Sequence, residues 1–203
     1  MRLFDLAGSP NTRRTRIFIA EKGIDLEIVP IDMMKRENAT PEYLAKNSLG
    51  KMPVLELDDG TCIAESVAIC RYLDEIYPER PMFGRDAKER AFVEMWNRRM
   101  EIDMLIPVMS SFVNTHEMWK GRRRQVPEWA EVCNEQITER YAWLDSELAG
   151  RQYIATDDYT VADITAQCTV LMAKAVAGIR IQNDQSNLAS WWERVSSRPT
   201  ARA

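Results

Sequence analysis

The spacing of apolar residues changes character once along this chain, near residue 80. Before that point, short extended runs alternate with helical ones. RLFDLA at residues 2–7 predicts a strand. GSPNT after it carries helix-start chemistry, with Ser9 as an N-cap and Pro10 as a first helical residue. TRRTRIFIAEKG then runs at helical spacing and stops at Gly23, a residue type that ends helices readily. LEIVPID predicts a second strand, and Pro30, which has no N–H to offer a neighbour, puts it at a sheet edge. Thr40 and Pro41 open a short helix, TPEYLAKN. PVLEL and CIAE, joined by the turn DDGT, predict a hairpin. ESVAICRYLDEIY follows as a helix with Ile69, Leu73 and Ile76 on one face. The order through residue 77 is β-α-β-α-β-β-α.

RYLDEIYPERPMFGRD interrupts this pattern with clustered prolines and a glycine and reads as a linker. Beyond it no run alternates as a strand does. AKERAFVEMWNRRMEIDMLIPVMSSFV predicts one long helix bent at Pro107. PEWAEVCNEQITERYAWLDSELAG is a second, TVADITAQCTVLMAKAVAG a third, and NLASWWERVSSRP the last. The third is the most apolar and is expected at the centre. Two domains follow from this: an α/β domain over residues 1–79 and an all-helical one over 86–203. At the start of the third helix, Thr160 and Asp163 have the spacing of a capping box, so Asp163 reads as structural and not catalytic.

Composition mainly removes possibilities. The 203 residues are 45% hydrophobic and 29% charged with a net charge of −4, so the basic footprint of a nucleic-acid binder is missing. Arg122-Arg123-Arg124 is too short to supply one and reads as a solvated loop. No apolar run reaches the roughly 18 residues of a membrane span, and MRLFDLAGSP, with Asp5 and no apolar core, does not read as a secretory leader. The expected compartment is therefore the cytoplasm. Cys62, Cys70, Cys133 and Cys168 are far apart and read as reduced thiols. With His116 as the only histidine, a histidine-rich metal site is excluded and a serine triad would have to run through that one residue. No glycine-rich phosphate loop is present, so neither a metal nor a nucleotide cofactor is expected.

Chemistry concentrates in GSPNT and in GKMPVLELDDGTCIAES, residues 50–66. Two readings of Pro53 stay open: a trans proline beside an edge strand, or a cis bond that turns Met52's backbone outward to pair with an extended peptide. Glu65 and Ser66 stand at a helix start. They are either a cap with a favourable acid or a pair that takes the ammonium and carboxylate of an amino-acid head. At GSPNT, helix amides and the donors of Ser9 and Asn11 can stabilise an anion such as a thiolate. Ser9 as a nucleophile would need a base that this domain lacks.

MPVL at 52–55, followed by Glu65-Ser66 in a β-α-β-α-β-β-α domain with a helical partner, resembles the cytosolic glutathione transferases along essentially the whole chain. The resemblance implies a thioredoxin-like N-terminal domain that binds glutathione, a helical C-terminal domain that lines the electrophile site, and a homodimer. Carried over residue by residue, Pro53 is the cis-proline and Met52 pairs with the cysteinyl part of glutathione. Glu65 and Ser66 then hold the γ-glutamyl head, and Lys35 and Lys51 face the glycyl carboxylate. Ser9 stabilises the thiolate, with Asn11 sharing the role as in bacterial members that carry Ser/Thr-Pro-Asn there. Met100, Met104 and Trp119 are the expected electrophile contacts. SPNT stands where glutaredoxins carry CPxC, and Phe4 and Leu6 stand where tyrosine-type members carry their tyrosine region. Glutathione transfer to a small electrophile is the expected activity. A glutathione-dependent disulfide reductase and a non-enzymatic binding protein are the alternatives.

Overall fold

A computed structural model describes residues 1–203. The chain divides into two compact units, Met1–Pro81 with the last two residues, and Met82–Ala201.

The first unit is built on a four-stranded sheet. Its strands are β1 (Arg2–Asp5), β2 (Glu27–Pro30), β3 (Val54–Glu56) and β4 (Cys62–Ala64). Their order across the sheet is β2-β1-β3-β4. β1 runs parallel to β2 and antiparallel to β3, and β3 runs antiparallel to β4. The parallel pair requires a crossover, and α1 (Pro10–Lys22) supplies it. Pro30 sits at the end of β2, which is an edge strand as expected. α1 stops at Gly23, whose φ of 65° lets its amide reach back to Ile19 and Ala20. α2 (Pro41–Leu44) is capped by Thr40, whose hydroxyl accepts from the Tyr43 amide at 3.2 Å. α3 (Ser66–Ile76) packs beside α1. Ile69 and Leu73 are fully buried, but Ile76 is 43% exposed because the helix has run past the core by its last turn.

The second unit contains only helices: α4 (Ala87–Arg99), α5 (Ile106–Thr115), α6 (Pro127–Glu147), α7 (Val161–Ala177) and α8 (Ser186–Ser196). α7 is the core element, with every residue from Val161 to Val170 buried. α4 and α5 are the expected long helix, but the distortion lies ahead of Pro107, in a wide π turn at Met100–Leu105. A proline cannot donate to the carbonyl four residues back and its ring crowds that turn, so the preceding residues widen to make room.

Candidate functional site

The sharp connection from β1 into α1 is held by side chains. The Thr12 hydroxyl donates to the Leu6 carbonyl at 2.6 Å, and Arg16 donates twice to Asp5, at 2.7 Å to each oxygen. Ser9 therefore occupies the N-cap position without being needed as a cap: its hydroxyl makes no capping bond. That departs from the capping role its position suggests. The Asn11 carbonyl oxygen Oδ1 faces an Arg14 nitrogen at 3.4 Å, and its amide nitrogen donates to no group of the chain.

The start of α3 departs from expectation in the same sense. Glu65, not Ser66, is the cap residue, and it has φ 67° and ψ 116° with no side-chain capping bond. A non-glycine residue at such an angle costs on the order of 1–3 kcal/mol and persists only where its surroundings enforce it. Ser66 is the first helical residue, and its buried hydroxyl contacts Arg14 Nη1 at 2.6 Å. The same arginine nitrogen thus lies against both Asn11 and Ser66, which ties the first turn of α1 to the first turn of α3. Nothing in the sequence distinguishes Arg14 from Arg13 and Arg16, yet its side chain is fully buried.

Between these helix starts runs the loop into β3. The Met52–Pro53 bond is cis and not trans. The residue before it is anchored twice, because Tyr43 Oη and Asn47 Nδ2 each donate to the Lys51 carbonyl at 2.9 Å. Burial pushes the Tyr43 hydroxyl up to about 12, so it stays a donor at any physiological pH. Asn38 Nδ2 donates to the Gly50 carbonyl at 2.8 Å one residue earlier. The backbone of Met52 itself joins neither β3 nor any turn or loop hydrogen bond. A backbone held rigidly on both sides while its own polar groups stay open has the form of a peptide-pairing edge.

Residues 1–75 match the glutathione S-transferase N-terminal domain, and residues 96–199 match the C-terminal domain. Glutathione S-transferase 2 of Saccharomyces cerevisiae is 32% identical across the whole chain and 88% of its own length. The chain belongs to the glutathione S-transferase family. A glutathione S-transferase domain-containing protein of Marinobacter aquaeolei superposes with a TM-score of 0.92 at 36% identity, covering 99% of this chain and all of its own. Gtt2 of Saccharomyces cerevisiae superposes at 0.91 and 33% identity, covering 100% and 99% of the two chains. A maleylacetoacetate isomerase of Pseudomonas aeruginosa is 30% identical over 64% of this chain and 62% of its own.

Other residues expected to serve a glutathione S-transferase fall in varied settings. Lys51 is exposed. Lys35 is also exposed and lies 3.6 Å from Asp32, whose carboxylate is held below its usual range by the Lys35 and Met34 amides. Met100 and Met104 are fully buried in the π turn, which packs against α4, α5 and α7. As core side chains they present no surface to a ligand. Their four-residue spacing suits a core as well as a pocket, and here it serves the core. Trp119 is half-buried, lies edge-on to Phe112 at 6.2 Å and has Arg123 over its ring at 5.3 Å. Nδ1 of His116 accepts from the Met118 amide at 3.2 Å and is occupied by that turn. No helix of the chain is long and apolar enough to cross a membrane.

Proposed function

We propose that the chain binds glutathione along its first unit and activates the thiol for conjugation to a small electrophile. The γ-glutamyl head is held by Glu65 and Ser66, and the cysteinyl backbone pairs with Met52 beside Pro53. Lys35 and Lys51 supply positive charge for the glycyl carboxylate. Ser9 and Asn11 receive the thiolate at the start of α1. The observation that carries this reading is the set of polar groups left without an internal partner at two adjacent helix starts. Ser9's hydroxyl, Asn11's amide nitrogen and Glu65's carboxylate make no side-chain hydrogen bond within the chain.

The energetics are sufficient. A thiol with a pKa of about 8.5 is only about 3% ionised at pH 7. Lowering that value by about 2 units requires roughly 2.7 kcal/mol in favour of the anion. One hydrogen bond to a charged acceptor contributes about 1.5–3 kcal/mol, and a helix N-terminus about 0.3–2. Ser9 with the α1 terminus meets the requirement, and the protein need not hold a general base. With a chloroarene as substrate, the sulfur–carbon bond forms, chloride leaves, and the thiol proton has already passed to solvent.

The alternative is disulfide reduction in which glutathione's own thiol replaces a protein cysteine, since α1 holds none and three of the four thiols are buried. The test is turnover of 1-chloro-2,4-dinitrobenzene against turnover of a glutathione mixed disulfide. Faster reduction of the disulfide would reverse the assignment. A homodimer in the cytoplasm completes the proposal. Phe92, Met95, Ile102 and Ile106 leave apolar surface exposed along α4, the π turn and α5. A monomer mass in light scattering at micromolar concentration would refute the dimer.

A further inference from the structure

We propose that Arg14 is a positioning residue that sets the direction of the donors on both Ser66 and Asn11, so that one buried guanidinium orders the carboxylate end and the thiol end of the bound tripeptide together. The proposal rests on the glutathione reading above.

Hydrogen-bond valence sets both directions. A guanidinium has only donors, so Ser66 Oγ must accept at the 2.6 Å contact with Arg14 Nη1. A hydroxyl has a single proton. With one lone pair turned to Arg14, that proton points away from the guanidinium, and no group of the chain receives it. The same logic orients Asn11. Its Oδ1 faces Arg14 Nη1 at 3.4 Å, so the planar amide turns Nδ2 to the opposite side, where it too has no acceptor in the chain. Without the arginine, the serine proton rotates freely and the amide can flip. In either case the site presents an acceptor to an incoming anion about as readily as a donor.

Charge acts in the same direction. The Arg14 side chain is fully buried, so its field is less screened than that of an exposed arginine. It favours an anion on either side of it, a carboxylate near Ser66 or a thiolate near Asn11. The two ends of the ligand are therefore ordered by one residue, and loss of that residue is expected to disturb both.

The experiment is a double-mutant cycle read in two ways, by calorimetric glutathione affinity and by ultraviolet titration of the bound thiolate. Ser66→Ala weakens glutathione binding by about tenfold or more in the parent protein. In an Arg14→Gln background the same change is expected to cost less than about threefold, because the serine proton has already lost its direction. Arg14→Gln alone raises the pKa of the bound thiol by about one unit, and Arg14→Lys, which keeps a buried cation with donors only, recovers much of that shift. If Arg14→Gln loses its near-ultraviolet circular dichroism, the Arg14→Lys background carries the cycle, with an intermediate Ser66→Ala cost expected. Full additivity in the cycle together with an unmoved thiol pKa would overturn the proposal while leaving the glutathione reading intact. A parent protein that binds no glutathione would overturn both.

Discussion

Two kinds of helix start in this protein use the same residue types to opposite ends. At α7, Asp163 is completely buried and its carboxylate accepts from the Ile154 and Thr160 amides, the Thr160 hydroxyl and the Trp191 indole, all between 2.9 and 3.1 Å. Burial pushes its pKa up, and those donors pull against the shift. At α1 and α3, a serine hydroxyl, an asparagine amide nitrogen and a glutamate carboxylate stand in comparable positions without a hydrogen-bond partner in the chain. A saturated helix start holds the chain together, whereas an unsaturated one is preorganised for something else to complete it. Residue type alone does not separate the two cases; the inventory of partners does.

This contrast can be broken at either side. The largest effect is expected from Asp163→Ala, which strands four donors in the core of the helical unit. It should destabilise the protein by about 3–5 kcal/mol in urea unfolding while the folded fraction keeps its glutathione affinity. Ser66→Ala should act mainly on the ligand, with affinity falling about tenfold or more and a smaller stability loss of about 1–3 kcal/mol from the single buried Arg14 donor it strands. Equal stability losses in the two variants would erase the distinction. Ser9→Ala sharpens the comparison within the site, since it is expected to raise the pKa of bound thiol by about 1–2 units with a smaller change in affinity. No movement of that pKa would transfer the role to Asn11 and the helix amides. The smallest effect concerns an ordinary surface start. Glu89 in the first turn of α4 is held at about 2 by its hydrogen bonds from Arg85. A carboxylate with a depressed value stabilises the folded state above its unfolded pKa, and that contribution is lost as pH falls through the folded value. Melting temperatures of the parent and Glu89→Gln should therefore differ slightly at neutral pH and converge between about pH 4.5 and 2.

The fold was legible where local chemistry and periodicity agree. Pro30 marks an edge strand because it lacks an N–H, Thr40 caps with its hydroxyl, and the Asp58-Asp59-Gly60 turn closes between Leu57 and Thr61. The π turn was legible only as a bend, because Pro107 signals that the helix must deform without saying over which residues it spreads. The site was legible as positions more than as roles. Ser9, Met52, Glu65 and Ser66 can be picked out in the sequence, but capping and ligand binding call for the same side chains there. Arg14 was not legible at all. TRRTRIF offers three arginines within four residues, and which one goes inward depends on how α1 packs against α3, a contact that brings together residues some fifty positions apart.

Glu65 carries a consequence for laboratory evolution. Its φ of 67° is one that glycine adopts without penalty, so Glu65→Gly is expected to raise thermal stability while removing the carboxylate proposed for the ligand's ammonium group. Selection for heat resistance alone would pull this position toward glycine, and selection on glutathione turnover would pull it back. Position 65 is thus a built-in point of conflict between robustness and activity, and the residue that emerges reports which of the two a population was made to keep.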